Sequence, residues 1–386
     1  MEVMRMGTDP WGFDEERQDL AWKLRRKRRT YSLSHMGVIL VLLAVLLAGL
    51  SVRLRSWVDS LSLPGWTQAT AFLILLYALG SALGWPYAYF GGHKLDRGFG
   101  LSTQSAKSWA ADLAKSFALG MAAVVLAGNV LLWLLATQST WWWLLAWGLG
   151  IVVTVVLGFL APVVIAPIFF RFKPLQDPQL RARFEVLAAK AGVPVVGVYE
   201  MGASSKSRRS NAMVMGLGRT RRIVVTDTML HSFAPEETET VLAHELGHQR
   251  FLDPMKGIGV GAIVSLAMWS VAALAYASTY ASFGFSSLGD MAGLPLLLLY
   301  SGIVSTALEP LELWWSRRRE ARADRFSLEV TRNPASFSAA MVKLHDQNLG
   351  IANPPRWEKW LFYSHPPGRE RVETARAFDR AARSSV

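Results

Sequence analysis

The 386-residue sequence contains no cysteine. The chain can therefore form no disulfide framework, no thiolate metal site and no cysteine nucleophile. The sequence also contains no internal repeat, no glycine-rich phosphate loop and no nucleic-acid-binding module. Any metal that the protein binds must be held by histidine, aspartate or glutamate.

Hydrophobic residues make up 52% of the chain, and 16 residues are tryptophan. The mean hydropathy is positive. This composition is typical of an integral-membrane protein rather than of an ordinary soluble domain. The chain is long enough for a membrane bundle together with a compact domain.

Six apolar runs are each near or above the length that a bilayer requires. The fourth run is the longest and contains Pro162 and Pro167, which predict a kink or an early exit from the hydrocarbon. Tryptophan clusters at 141–143 and 314–315 indicate interfacial belts. The six predicted spans are 36–52, 69–90, 117–137, 141–170, 257–277 and 291–311.

The distribution of lysine and arginine predicts how these spans are oriented. Residues 23–29 form a basic cluster directly before the first span, and 93–115 holds four more basic residues. By contrast, 138–140 and 282–290 contain neither lysine nor arginine. The cluster could also be a nucleic-acid-binding arm, but its position beside a span favours a cytoplasmic anchor. Both termini are therefore predicted on the cytoplasmic side, and no nucleic-acid partner is expected.

A candidate metal site lies in residues 241–250, whose sequence is VLAHELGHQR. His244 and His248 stand four positions apart, so on a helix both imidazoles leave the same face and can bind one Zn²⁺. Glu245 between them can take a proton from a water that the ion activates and pass it to a leaving amine. The alternative is an apolar-faced helix with two satisfied histidines, because this pentapeptide also occurs by chance.

Local signals predict that the motif does lie on a helix. Pro235 suits the first helical position, and Glu236 and Glu237 place negative charge at the positive end of the helix dipole. Asp253 and the proline after it predict the end of this helix.

Glu320 is the predicted third ligand, about seventy positions after His248. Two predicted spans occupy this interval, and a hairpin of two spans returns the chain to the side it left. Glu320 would complete three protein ligands and leave one position open for water. Asp324, one turn further along the same face, could accept the free N–H of a ligating histidine and fix its tautomer. In the alternative, both acids only balance the neighbouring arginines.

Several motifs resemble one known family. HELGH, a membrane hairpin and then Ser-Arg-x-x-Glu-x-x-Ala-Asp resemble the integral-membrane gluzincin family typified by CAAX prenyl protease 1, with the bacterial heat-shock membrane proteases as more distant relatives. The resemblance extends from about the second span to near the C-terminus. Further matching stretches are 96–102 (DRGFGLS), 167–170 (PIFF), 172–175 (FKPL), 210–212 (SNA) and 364–367 (SHPP).

The resemblance implies one zinc ion per chain, held by His244, His248 and Glu320, with Glu245 as the base. It implies a ring of membrane helices around a water-filled chamber, closed on the cytoplasmic side by the protease domain. The eukaryotic members have seven spans, whereas six are predicted here.

Three further residues receive a role through this resemblance. It implies that Asn211 and His365 face the substrate and that Arg371 pairs with Asp324. The predicted strand at 211–217 fits the first of these roles, because an edge strand can hold an extended peptide through main-chain hydrogen bonds. A loop histidine such as His365 could donate to the oxyanion. From the residues alone, Asn211 is equally a turn residue and His365 a surface residue.

The sequence therefore predicts a mainly α membrane protein, with about six transmembrane helices enclosing a chamber and a small cytoplasmic α+β zinc metalloprotease domain. The predicted segments are a basic cytoplasmic segment (1–35), a membrane domain of four spans (36–171), the first part of the protease domain (172–254), a transmembrane hairpin (255–312), and the second part of the protease domain with the C-terminal tail (313–386).

The predicted activity is zinc-dependent hydrolysis of peptide bonds at the cytoplasmic membrane face. By resemblance, the substrates are prenylated peptides that lose a C-terminal tripeptide, or membrane proteins in quality control. A channel or transporter would also explain the spans and Glu309, which could line a chamber or lie at the bilayer edge. A catalytically inactive membrane scaffold is the remaining alternative. The expected partners are a peptide or protein substrate, which the resemblance suggests is prenylated, and the lipid bilayer. The sequence gives no indication of the oligomeric state.

Overall fold

The protein is mainly helical, with one small sheet. The structure is a computed structural model that describes residues 7–216 and 218–384, apart from the side chain of Arg219. Leu217, the last residue of one predicted strand, and the ends of both predicted terminal segments lie outside the described residues.

The α-helices in the described part of the chain are α1 (Glu15–Val45), α2 (Ser51–Ser60), α3 (Gly65–Tyr87), α4 (Leu95–Gly98), α5 (Ala106–Thr137), α6 (Trp142–Leu160), α7 (Ala166–Phe169), α8 (Pro178–Lys190), α9 (Asp227–Ser232), α10 (Pro235–Arg250), α11 (Asp253–Thr279), α12 (Leu294–Thr331), α13 (Pro334–Asn348), α14 (Arg356–Phe362) and α15 (Gly368–Ser384). The strands are β1 (Phe172–Pro174), β2 (Val198–Met201), β3 (Ala212–Met215) and β4 (Arg222–Thr226).

Six helical stretches of the described chain are long and apolar enough to cross a membrane, which confirms the predicted number of spans. Each predicted apolar run overlaps one of them, although several helices begin well before the apolar residues. The six stretches are Glu15–Ser60, Gly65–Gly98, Ala106–Thr137, Trp142–Phe169, Asp253–Phe283 and Met291–Thr331.

The fourth stretch is interrupted where its two prolines were predicted to act. Helix α6 ends at Leu160, and a π-helical segment at Ala161–Ile165 leads into the short α7. Because proline has no amide N–H and its ring clashes with the preceding turn, Pro162 and Pro167 prevent a regular helix here. The break brings the chain to β1 and the small sheet.

The basic N-terminal segment is part of a long helix. Helix α1 begins at Glu15, where Asp14 caps it by accepting a hydrogen bond from the Arg17 amide N–H, and it runs through the basic cluster into the first span. The cluster is therefore held rigidly beside the membrane stretch. Arg17 Nε also donates to the Asp346 carbonyl oxygen over 2.9 Å, which ties α1 to α13.

The sheet has the strand order β1-β2-β4-β3. Strands β2 and β4 run parallel, whereas β1 with β2 and β3 with β4 are antiparallel. Strand β3 therefore lies at an edge, with its residues from Ala212 to Met215 paired to β4 on one side only. This edge position agrees with the substrate-binding strand expected from the sequence.

One hydrophobic core joins the sheet to helices on both sides of the membrane hairpin. It contains Ile223 from β4 and Leu242 and Leu246 from α10, which precede the hairpin, together with Phe337 from α13 and Val372 from α15, which follow it. All five are fully buried. The two chain segments therefore fold as one unit, which fixes α12 against α10.

An ion pair links membrane helices at the end of the bundle opposite α10. Arg53 and Arg55 are the two basic residues that oppose the predicted orientation of the spans. The Arg55 guanidinium pairs with Asp290, whose side chain is 1% exposed. The same carboxylate accepts hydrogen bonds from the amides of Ser286 and Ala292. Arg55 thus balances a buried charge between α2 and the start of the last span, which explains its place there.

We expect Arg55→Met to destabilise the protein more than Arg53→Met. The first change leaves the buried Asp290 carboxylate without its counter-charge, which costs about 2 kcal/mol where other hydrogen bonds remain. Arg53 is exposed and serves as the matched control. Thermal unfolding of both variants in the same detergent measures the difference, and equal midpoints would contradict this role for Arg55.

Candidate active site

Helix α10 presents the histidines to a cleft while its other face lies in the core. Its start matches the prediction, because Pro235 lies in the first turn and the Glu237 carboxylate accepts a hydrogen bond from the Ala234 amide. Leu242 and Leu246 are one turn apart and fully buried. His244 and His248 repeat with the same spacing on another face.

Asp253 and the proline after it begin the helix that follows α10 instead of ending α10 itself. The helix ends at Arg250, and Leu252 adopts a left-handed conformation with φ of 57°. Asp253 then begins α11, with the proline after it in the first helical turn. A proline is favoured at this position because its missing N–H needs no partner there.

Helix α12 brings the third acidic residue to the two histidines. His244 Nε2 lies 3.1 Å from Glu320 Oε2 and 3.2 Å from His248 Nε2, while His248 Nε2 lies 3.4 Å from Glu320 Oε1. One ligand atom from each residue lies within 4.8 Å of the others. Two imidazoles and one carboxylate converging in this way fit a single metal ion with an open coordination position. The structure therefore supports the sequence-predicted trio as a metal site.

A carboxylate also contacts the far nitrogen of His244. Asp324 Oδ1 lies 2.8 Å from His244 Nδ1, and the Arg371 guanidinium donates to both oxygens of this carboxylate, with Nε to Oδ2 at 2.9 Å. All three side chains are buried. A proton on Nδ1 leaves Nε2 free to bind a metal, so Asp324 is placed to select that tautomer. The structure thus brings together Asp324 and Arg371, whose pairing the family resemblance implied.

His248 has an equivalent partner that sequence reasoning missed. Its Nδ1 lies 2.9 Å from Asp253 Oδ2, and Asp253 pairs in turn with the Arg322 guanidinium. The Asp253 side chain is 2% exposed. In the sequence this aspartate was interpreted only as a helix-end signal. Its spacing of five residues after His248 was the available clue, but only the left-handed turn at Leu252 aims its carboxylate back at the histidine.

Glu245 lies at the cavity beside the trio. A cavity of about 320 Å³ is lined by His244, Glu245, Asn211, His365 and Arg371, among others. Burial raises the pKa of the Glu245 carboxyl above its ordinary value. A carboxylate with a raised pKa is a stronger base, which suits proton transfer near neutral pH.

The cavity also brings the two predicted substrate-facing residues together. Asn211 is exposed at the start of edge strand β3, and its backbone is fixed by Thr226, whose amide donates to the Asn211 carbonyl oxygen over 3.0 Å. His365 is exposed, and its Nε2 lies 3.3 Å from Glu320 Oε2. Asn211 and His365 therefore line the same cavity as Glu245. This cavity lies between α10 and the loop before α15.

His345 also lines this cavity, and no chemistry was predicted for it. Burial lowers the pKa of His345 to about 4, so the ring is neutral at physiological pH. Its Nδ1 lies 2.8 Å from the carbonyl oxygen of Met341 in its own helix. His345 is therefore a neutral residue of the cavity wall, fixed by its own helix.

The fold and this cavity define an integral-membrane metallopeptidase. A model of peptidase family M48 matches residues 174–379, and a model described as the CAAX prenyl protease N-terminal region with five membrane helices matches residues 15–171. Together the two models cover nearly the whole chain. Four of the six candidate spans lie within 15–171, one fewer than that description gives.

Named relatives agree with these models. The uncharacterized metalloprotease YhfN of Bacillus subtilis is 30% identical over 341 residues, which are 87% of this chain and 80% of that protein. The human CAAX prenyl protease 1 homolog is 27% identical over 354 residues, or 80% of this chain and 73% of that protein. The crystal structure of S. mikatae Ste24p has the same fold, with a TM-score of 0.85, 22% identity, and coverage of 96% of this chain and 92% of that one. The chain belongs to peptidase family M48 and is a membrane metalloendopeptidase.

We expect Asp253→Asn to weaken metal binding about 10–100-fold, the usual effect of changing a carboxylate that orients a ligating histidine. Glu320→Ala removes a ligand atom and should lose more. Glu312→Ala, at an exposed position on the same helix, is the control and should bind like the unaltered protein. Competition with a chromogenic chelator measures all three affinities, and an unchanged affinity in Asp253→Asn would remove this aspartate from the site.

Proposed function

We propose that the protein is a zinc-dependent endopeptidase that cleaves peptides near the cytoplasmic membrane face. The observation that carries this proposal is the convergence of His244, His248 and Glu320 in a family M48 chain, with His244 and Glu245 lining one cavity. A channel or transporter gives no reason for these four residues to meet. An inactive scaffold gives no reason for a base to lie beside the metal donors.

Zinc is the metal that this donor set suits best. Two neutral imidazoles and one carboxylate, with a fourth position open, are typical of catalytic zinc in peptidases. A zinc ion held there, one per chain, supplies Lewis-acid activation of water and of the scissile carbonyl. Asp324 and Asp253 contact the Nδ1 atoms of the two rings, so that both Nε2 atoms face the Glu320 carboxylate and would be free to bind the ion.

The other side chains of the cavity supply the remaining steps. Glu245 removes a proton from the attacking water and delivers it to the leaving amine. His365 donates to the oxygen of the scissile carbonyl as negative charge develops there. The free edge of β3 pairs with the extended substrate backbone, and Asn211 at its start orients that backbone.

The names of the relatives support a proposal for the substrate class. The human relative is named CAAX prenyl protease 1 homolog, and the Saccharomyces cerevisiae relative is named CAAX prenyl protease 1. We therefore propose prenylated peptides as substrates, with release of a C-terminal tripeptide, in preference to membrane-protein quality control. We also propose that the chain is divided as the sequence predicts, into segments 1–35, 36–171, 172–254, 255–312 and 313–386.

We expect the purified protein to cleave a prenylated peptide, with loss of activity on addition of chelator. Glu245→Gln should lower kcat about 10²–10⁴-fold, the usual contribution of a general base, while metal content stays unchanged. Glu236→Gln makes the same chemical change at an exposed position in the first turn of α10 and should leave kcat unaltered. Peptide cleavage followed by chromatography measures each rate.

Two outcomes of this assay would contradict the proposal. The unprenylated peptide of the same sequence is the control, and equal cleavage of the two peptides would remove the prenyl preference but leave the peptidase. Full activity in Glu245→Gln would remove the proposed mechanism.

The absence of cysteine allows a clean test of the proposed orientation. Lys107 and Ser139 are exposed at opposite ends of α5, at its start and just beyond its end. We expect an impermeant maleimide to label Ser139→Cys on intact bacterial cells and Lys107→Cys only after permeabilisation, because basic loops stay in the cytoplasm. The reverse labelling pattern would place the active site outside.

A further inference from the structure

A second cavity adjoins the catalytic one. It has a volume of about 280 Å³ and shares Gly350 and His365 with the cavity that contains Glu245. One of its walls is the basic part of α1, which contributes Arg25 and Arg28. The opposite wall is built from residues around Ile351 and from the loop that leads to His365. The two cavities therefore border each other at His365.

The charge of this second cavity is positive. Its charged lining residues are Arg25 and Arg28, and no acidic residue is among the described residues that line it. Arg28 is already paired with Asp96. Arg25 forms a weaker pair, because its Nη2 lies 3.8 Å from Glu358 Oε2, within ion-pair range but beyond hydrogen-bond range.

Arg25 also has a buried donor without a partner. Among the described residues, no acceptor lies within hydrogen-bond range of its Nε, which is shielded from solvent. The guanidinium lies 5.7 Å from the centre of the Phe362 ring and 6.0 Å from that of Tyr363, so aromatic contacts fix its position. The Arg25 side chain as a whole is 37% exposed and lines the cavity, so a ligand there can contact its guanidinium.

The chemistry of this arrangement selects a carboxylate. Arginine presents parallel N–H donors that match the two oxygens of a carboxylate, and the pairing strengthens when water is partly excluded. A peptide carries such a group at its C-terminus or on an acidic side chain. The position of this cavity beside the active site favours the substrate over a lipid headgroup. The exposed members of the basic cluster, such as Arg26 and Lys27, remain available to the membrane surface.

We propose that Arg25 is a specificity-determining residue that binds the free C-terminal carboxylate of the peptide substrate. This inference rests on the proposed peptidase function and adds a subsite to it. The helix that precedes the first span thereby takes part in substrate selection. A substrate whose C-terminus lies a few residues beyond the cleaved bond gains this contact, whereas an internal segment of a longer chain does not.

The test compares three peptides of one sequence in neutral detergent: a free acid, a C-terminal amide, and an amide whose last residue is replaced by aspartate. The variants are Arg25→Gln, Arg25→Lys and Arg29→Gln. Arg29 is the matched control, because it also pairs with Glu358, at 3.5 Å, but does not line the cavity.

We expect the unaltered protein to cleave the free acid with a kcat/KM about tenfold above that for the amide, the range of one charge-assisted hydrogen bond. Arg25→Gln should abolish this preference by lowering kcat/KM for the acid alone, and Arg25→Lys should restore part of it. Arg29→Gln should keep the preference. If the aspartate peptide behaves like the amide, the terminal carboxylate is the ligand, as proposed.

Other outcomes would overturn the inference. An aspartate peptide that matches the free acid would assign the subsite to any substrate carboxylate. Equal losses for acid and amide in both Arg25→Gln and Arg29→Gln would assign Arg25 a structural role through Glu358. An effect of Arg25→Gln that appears only in vesicles with anionic lipid would assign it to the membrane. Cleavage of every peptide at one rate by the unaltered protein would reject the subsite alone, whereas cleavage of none would reject the proposed function itself.

Discussion

The contact between α10 and α12 is the constraint on which the rest of the structure depends. It places an acid from the end of the last span against two histidines that precede the membrane hairpin. The contact is held by packing and by polar groups: the buried Ser327 hydroxyl donates to the carbonyl oxygen of Thr240 over 2.6 Å. Because the hairpin crosses the bundle twice, the two helices meet at the same end. A metal site formed in this way requires the segments before and after the hairpin to pack into one core.

Buried charge around this contact is balanced in two similar sets. On one side His244, Asp324 and Arg371 form a row, and on the other His248, Asp253 and Arg322 do the same. Each histidine therefore directs Nε2 toward Glu320 and Nδ1 toward an aspartate. Each of these aspartates is paired with an arginine. Burying an unpaired carboxylate would be costly, so the arginines make the arrangement stable as well as ordered.

The sequence predicted the local features well because short-range physics determines them. The spacing of the histidines, the six apolar runs and the breaks at Pro162 and Pro167 all depend on neighbouring residues. Even Glu320 could be identified, since counting two spans determines the end of the bundle at which it emerges. The prediction was incomplete at Asp253, whose contact with His248 depends on the left-handed residue Leu252 between two helices. The path of the basic helix α1 along the protease core depends likewise on contacts with residues more than 300 positions away.

By itself, therefore, the sequence determined which residues could bind a metal and how many times the chain could cross a membrane. It also determined which face of α10 carries the metal-binding side chains. These properties follow from residue type and helical periodicity. Only the tertiary structure decided that Asp253 and Asp324 serve different histidines, and that Arg25 of α1 borders a cavity next to His365. Such placements arise from packing between distant segments, which no local pattern encodes.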